Sequence, residues 1–165
     1  YLMLTLILKG ISYQTFTKEL AAQNINYKEI ETKPSPLNTV LWTANVETED
    51  AFLIGYSSFL DKKPIQFSNY PKNHHLLGDL IYQPKVKRMI RISKGWYTIN
   101  KKNKILYFND LRFGLLSMKP NAENFVFKYK IEINGNGIAF FTEEPKEKKD
   151  AKNLLSQLWL RIKGN

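Results

Sequence analysis

Apolar positions near the start of the chain follow a helical pattern. They recur at the three- and four-residue intervals of one helix face, at Ile7, Leu8, Ile11, Phe16 and Leu20. Asn24 suits a C-terminal helix stop. The alternating leucines within residues 2–8 would also suit a strand, and Gly10 interrupts the helical pattern. We predict a helix over residues 1–23.

Strand patterns dominate the middle of the chain, residues 27–142. Runs rich in β-branched and aromatic residues occur in pairs about short polar turns, and each pair predicts a hairpin. The third turn contains Asn134 and Gly135, residue types that accept positive φ at low cost. The three predicted hairpins cover residues 40–56, 96–108 and 124–141.

The segment between the first two hairpins is less regular. A short strand is predicted at residues 65–67, and an irregular stretch over residues 68–84. Pro84 suits the first turn of a helix, and Gly95 suits its C-terminal cap. The apolar side chains that would share the inward face of this helix are Val86, Met89 and Ile90.

A second long helix is predicted at the end of the chain, over residues 146–163. Its inward face would carry Ala151, Leu155, Leu158 and Ile162, with Leu154 and Trp159 beside it. Together these elements predict an α+β fold, with an antiparallel β-sheet built from hairpins and flanked by N-terminal and C-terminal helices. We expect residues 1–165 to form a single domain.

Composition narrows the class of protein. The 165 residues are 43% hydrophobic and 13% aromatic, which is typical of a folded globular domain. Cysteine is absent, so disulfides, thiolate nucleophiles and cysteine-ligated zinc are excluded. The net charge of +10 suits a nucleic-acid or anionic-membrane partner, or reflects solvated lysines that bind nothing specific.

Positive charge is concentrated between Asp79 and Asp110, an interval without acidic residues. Trp96, Tyr97 and Tyr107 lie among these cations. Such a pattern is typical of a nucleic-acid groove and equally of a basic face on anionic lipid, while a solvated positive face is the third interpretation. The candidate anion-binding residues are Lys85, Lys87, Arg88, Arg91 and Lys94, and Lys101, Lys102 and Lys104 follow them.

Signals for catalysis are weak. His74 and His75 are the only histidines, and a metal site would need them to meet carboxylates such as Asp61 or Asp79 in three dimensions. The sequence contains no Gly-rich phosphate loop and no nucleophile elbow. We therefore predict no catalytic residue, and we keep the two histidines as weak metal-ligand candidates.

Asp110 and Arg112 are two residues apart in a segment expected to be extended, so they would share one face of a strand. They could bind a ligand together or form a salt bridge with each other.

The apolar run at residues 2–8 ends at Lys9. A helix that spans a bilayer needs about 20 apolar residues. We interpret the run as the last two turns of a transmembrane helix that leads into a soluble domain, with an ordinary core helix or strand as the alternative. Lys9 and Lys18 follow it, and basic residues after a membrane helix favour the cytoplasmic side.

Five segments in order resemble the C-terminal extramembrane region of the YdjM-like inner-membrane proteins, a family of membrane-bound metal-dependent hydrolases. The segments are PSPLNTVLW at 34–42, GYSSFLD at 55–61, PKN at 71–73, SKGWY at 93–97 and FNDLRFG at 108–114. In that family the motifs that contain His and Asp belong to the N-terminal membrane part, so no catalytic residue carries over.

The resemblance implies an accessory domain of a membrane-bound hydrolase of an inner membrane, which we expect to be non-catalytic by itself. Its expected position on the cytoplasmic side follows from Lys9 and Lys18. No cofactor is expected in this chain, and a divalent metal would belong to the membrane part. The expected partners are the protein's own N-terminal membrane module and an anionic membrane surface. The alternatives are a basic module that binds nucleic acid or anionic lipid, and an enzyme whose pocket joins His74 or His75 to Asp61, Asp79 or Asp110.

Overall fold

The computed structural model describes residues 2–36, 38–145 and 151–164. Within these residues the chain forms two antiparallel sheets of four strands each, together with helices near both ends. The predicted α+β class is confirmed, and the strands divide between two sheets because a long helical segment separates the fourth strand from the fifth.

The elements follow one another in the order helix, four strands, two helices, four strands and helix. Their bounds are α1 (Leu2–Ala22), β1 (Glu29–Pro34), β2 (Leu41–Glu47), β3 (Ala51–Ser58), β4 (Phe67–Pro71), a 3₁₀ helix (His74–Tyr82), α2 (Pro84–Ile92), β5 (Tyr97–Lys102), β6 (Ile105–Leu115), β7 (Phe125–Ile133), β8 (Ala139–Glu143) and α3 (Ala151–Ile162).

The chain divides into two compact units. The first contains α1, the sheet β1-β2-β3-β4, the short segment Met118–Asn121 and α3. The second contains Pro71–Ser117, with the 3₁₀ helix, α2, β5 and β6, and continues through β7 and β8. The expectation that residues 1–165 form a single domain stays a prediction.

In the first unit, α1 lies against the sheet through one stripe of side chains. Phe16 and Leu20, four residues apart on the helix, are fully buried. They pack in one cluster with Trp42, Ala44 and Val46, which alternate along β2 and therefore share one face of the sheet. Each buried large side chain contributes about 2 kcal/mol relative to an exposed one.

In the second unit, the 3₁₀ helix and α2 cover one face of the sheet β5-β6-β7-β8. Leu77 and Val86 bring apolar side chains from the two helices into a cluster with Tyr97 and Ile99 of β5. Phe108 of β6 completes the centre of this cluster. The predicted inward face of α2 is observed, because Val86 is fully buried while Met89 and Ile90 are half-buried against the same core.

The prediction of an irregular stretch over residues 68–84 is wrong. Strand β4 runs to Pro71, and the 3₁₀ helix occupies His74–Tyr82. This helix has a kink at Gly78, which has a φ of 48°. It lacks the 3.6-residue periodicity that signals an α-helix, and the burial of Leu77 in the core of the second unit stabilises it.

The predicted terminal helices are present, with shorter bounds. Helix α1 continues through Gly10 and ends at Ala22, and Asn24 just beyond it has a φ of 54°, as a left-handed helix stop requires. Helix α3 covers Ala151–Ile162, and the rest of the predicted 146–163 range before it lies outside the described residues.

The hairpin β5-β6 closes through a tight two-residue turn. Lys102 pairs with Ile105, so Asn103 and Lys104 form the turn, with φ values of 49° and 66°. Positive φ at both positions is the mark of a type I′ turn, in which Gly usually takes the second position. Lys104 therefore holds a conformation that costs a residue with a Cβ about 1 kcal/mol.

We expect Lys104→Gly to raise the free energy of unfolding by about 0.5–1 kcal/mol, because Gly adopts this turn without a Cβ clash. Urea denaturation would measure the change. Lys102→Gly is the matched control, since it removes the same side chain and charge from a strand position, where Gly is destabilising. Equal effects of the two substitutions would contradict the argument.

Candidate functional site

Helix α2 is anchored to the second unit at its first turn. Pro84 occupies the start of the helix, where a missing N–H costs nothing. The side chain of Gln83, just before it, accepts a hydrogen bond from the Ala139 N–H at 2.7 Å and donates one to the Gly137 carbonyl at 2.8 Å. Together with the buried Val86, these bonds fix which side of α2 faces solvent.

The outward side of α2 and the residue after its end form a surface that we call the α2 basic face. All five of its cations are exposed, and no ion pair joins them to another residue in the described part of the chain. Helix α2 contains no acidic residue. The α2 basic face consists of Lys85, Lys87, Arg88, Arg91 and Lys94.

A shallow groove of about 400 Å³ borders this face, between α2 and the end of the 3₁₀ helix. Ile81 and Ile90 line it with apolar surface, and Lys87 and Arg91 contribute the charges. Tyr82, which also lines the groove, has 72% of its surface exposed. The groove therefore combines cations with an apolar floor and an exposed aromatic ring.

The aromatic residues that the sequence places among the cations lie mainly in the core. Trp96 and Tyr97 are buried. The Tyr97 ring stacks on Phe108 with a centroid distance of 4.6 Å and on His74 at 4.0 Å. Tyr107 is half-buried, and the ammonium of Lys128 lies 4.4 Å from its ring centroid. Trp96 and Tyr97 therefore stabilise the second unit and leave little surface for a base to stack on.

The two histidines occupy different environments. His74 stacks on Tyr97, and its Nε2 lies 2.8 Å from the Tyr97 carbonyl oxygen, which suits donation from the ring. His75 next to it is exposed. Across residues 2–36, 38–145 and 151–164, no three His, Asp or Glu side chains group in a way that could hold a metal ion.

Asp110 and Arg112 pair with each other on β6. The Arg112 guanidinium donates from Nε and a terminal nitrogen to both carboxylate oxygens, with a shortest distance of 2.6 Å, and the Arg112 backbone N–H donates to Oδ1 at 3.0 Å. The hydrogen bond to Asp110 raises the pKa of Arg112. The pairing of β6 with β7 shifts register between Asp110 and Leu115, so this ion pair lies at an irregularity in the pairing of the two strands.

A second bidentate ion pair joins Arg161 of α3 to Asp61. It could not be predicted from the sequence, because 100 residues separate its two members. The guanidinium donates to the two carboxylate oxygens at 2.6 and 2.7 Å, and to the Tyr56 carbonyl at 2.8 Å. Asp61 also accepts from the Ser58 N–H, and the Ser58 hydroxyl donates to the Ile162 carbonyl at 2.6 Å. These bonds join the end of α3 to the end of β3.

A small cavity of about 210 Å³ lies beside this joint, lined in part by Tyr56, Gln66 and Ser68. Burial raises the pKa of the Tyr56 hydroxyl, so it stays protonated at neutral pH. The Ser68 hydroxyl accepts a hydrogen bond from the Asn121 N–H at 2.9 Å, which ties the Met118–Asn121 segment to β4. The polar groups here serve the packing of the first unit.

Helix α1 carries an exposed apolar surface on its first three turns, which we call the apolar end of α1. Each of its side chains has at least 46% of its surface exposed, and Met3 reaches 78%. None of the helices in the described residues is both long enough and apolar enough to span a bilayer. The apolar end consists of Met3, Leu4, Leu6, Ile7 and Ile11.

Comparison of the chain with family models, with curated proteins and with solved structures finds no match.

We expect Asp61→Asn to lower the free energy of unfolding by about 2–3 kcal/mol, because it leaves the mostly buried Arg161 guanidinium without its carboxylate. Denaturant unfolding would measure the loss. Lys28→Gln, which removes the exposed ion pair between Lys28 and Glu49, is the control and should leave stability unchanged within error. A loss no larger than that of the control would show that the Arg161 pair is not a structural clamp.

Proposed function

We propose that this chain is a membrane-tethered accessory domain, non-catalytic by itself, that serves a larger membrane-bound protein. The observation that carries the proposal is the apolar end of α1, which the fold leaves exposed. The proposal places this end in the bilayer and the two sheets in water.

Helix α1 has two halves with different environments. In its second half Phe16 and Leu20 are buried against the first sheet, and Ser12 is also buried. Gln23, just beyond its end, donates a hydrogen bond to the Ile65 carbonyl at 2.8 Å. The first half therefore extends in a direction that the second half fixes.

The first half is apolar on most sides. Consecutive helical residues are rotated by about 100°, so the run at residues 2–8, in which Thr5 is the only polar residue, leaves no wide polar stripe to face water. Leu8 alone among the described apolar residues of this run packs against the core cluster. From Met3 to Ile11 the helix rises about 12 Å, less than half the thickness of about 30 Å of the hydrocarbon core, so this end would enter the bilayer only part of the way.

Burial of the apolar end of α1 in a membrane would provide a substantial hydrophobic free energy for binding. Five large apolar side chains, each about half exposed, leave on the order of 5 kcal/mol of hydrophobic free energy unused in water. An exposed apolar patch of this kind marks a membrane or protein contact.

The candidate catalytic residues make structural contacts, which supports the proposal that the chain is non-catalytic by itself. Asp61 holds Arg161, Asp110 holds Arg112, and the ring of His74 stacks on Tyr97 in the core. Each of these side chains has a structural role in its unit. In the proposal, hydrolase chemistry and any divalent metal belong to a membrane module of the YdjM-like type.

We expect the purified chain to co-float with vesicles of neutral phosphatidylcholine in a density gradient. Leu6→Glu/Ile7→Glu should weaken this binding about tenfold or more, because a carboxylate inside the membrane is costly. Gln14→Glu/Ala21→Glu adds the same charge at two exposed positions of α1 outside its apolar end and should bind as the unmodified chain does.

Circular dichroism would establish that all three proteins are folded. The proposal fails if the unmodified chain does not float, or if the Leu6→Glu/Ile7→Glu variant floats equally well. Sedimentation that shows a dimer without vesicle binding would instead assign the apolar end to contact between two copies of the chain.

A further inference from the structure

We infer that the α2 basic face, together with the adjoining groove, is a binding site for anionic phospholipid headgroups. This inference goes beyond the proposed function, because it rests on different residues in the second unit and on a different force. Its basis is a set of cations that form no ion pair with any other described residue and lie beside an apolar groove.

The cations act together because of their spacing. Arg88 and Arg91 are three residues apart, and Lys87 and Arg91 are four apart, so each pair lies on one side of α2. No acidic residue occurs between Asp79 and Asp110, and no described acidic group forms an ion pair with the five cations. Their positive potential is therefore available to an outside anion.

An amphipathic ligand needs apolar contact as well as charge, and the groove offers both. Lys87 and Arg91 can bind a phosphate group while Ile81 and Ile90 offer apolar contact directly beside it. At its rim Tyr82 exposes an aromatic ring with a polar hydroxyl, a side chain enriched where water meets lipid. Ile92, at the end of α2, is 46% exposed among the cations.

These surroundings favour a lipid headgroup over a nucleic acid. Single-stranded nucleic acids stack their bases on exposed aromatic rings beside a basic groove. Of the aromatic residues near these cations, Trp96 and Tyr97 are buried and Tyr82 offers one exposed ring, while Ile92 exposes an aliphatic side chain. An aliphatic side chain cannot stack on a base as an aromatic ring does, but it can enter the acyl boundary of a bilayer.

The test uses the Leu6→Glu/Ile7→Glu chain, in which the contribution of α1 is weakened. We expect this chain to bind vesicles that contain phosphatidylglycerol much more strongly than vesicles of phosphatidylcholine alone, and to be released by added NaCl. Arg88→Glu/Arg91→Glu should weaken binding to the phosphatidylglycerol vesicles by about tenfold or more. Arg88→Gln/Arg91→Gln should give a smaller loss in the same direction.

A matched control distinguishes binding at a specific site from a general effect of the protein's net charge. Lys62→Glu/Lys63→Glu changes the net charge of the chain by the same amount at two exposed positions of the first unit. It should leave binding within about twofold. Equal losses for the two charge reversals would overturn the inference, because they would show attraction of a basic protein to any anionic surface.

A second variant tests the apolar contacts, with Tyr82 at the groove and Ile92 at the end of α2. Tyr82→Ser/Ile92→Ser should weaken binding to phosphatidylglycerol vesicles severalfold and leave the salt dependence unchanged, since it removes apolar contact and no charge. No loss in this variant would refute the role of apolar contact in the site.

Binding to duplex DNA and to single-stranded RNA is measured as well, at the same salt concentration. Stronger binding to either than to phosphatidylglycerol vesicles, lost in Arg88→Glu/Arg91→Glu, would assign the face to nucleic acid and overturn the inference. The loss of neutral-vesicle binding in Leu6→Glu/Ile7→Glu reports on α1, and the loss of phosphatidylglycerol binding in Arg88→Glu/Arg91→Glu reports on α2, so the proposed function and this inference can fail separately.

Discussion

The burial of Phe16 and Leu20 against the first sheet determines the orientation of α1, and the function that we propose depends on it. A helix fixed by the side chains of its second half cannot turn its first half inward. The apolar end must then face water or find a partner outside the first unit. The same rule applies to α2, where Val86 points inward and thereby directs the arginines outward. In both helices a buried stripe decides what the opposite surface can contact.

The sequence predicts those parts of the fold that depend on local pattern. The third hairpin is predicted from its turn residues, and within that turn Gly137 has a φ of 75°. The inward face of α2 follows from the spacing of Val86, Met89 and Ile90. The candidate basic face is equally local, because a helix three turns long places its own charges. For this reason its cations could be identified from the sequence. Only the structure shows that they form no ion pairs with other described residues.

Parts of the structure that depend on distant contacts were not predictable. Nothing near Arg161 indicates that it pairs with Asp61, because the chain between them sets their distance. The 3₁₀ helix is stabilised by the burial of Leu77 in a core formed by later strands. The position of Trp96 and Tyr97 shows the same limit: the sequence places them among cations, and only the packing shows that they belong to the core.

The joint between α3 and the end of β3 has a consequence for synthesis. The first unit begins before the second and is completed after it, so the second unit is an insertion in chain order. On the ribosome, β1 to β4 emerge long before Arg161, so their sheet lacks this clamp until α3 has been made. The second unit emerges as one nearly continuous segment in the meantime. We therefore expect the inserted unit to fold before the unit that contains α1 and α3 is closed.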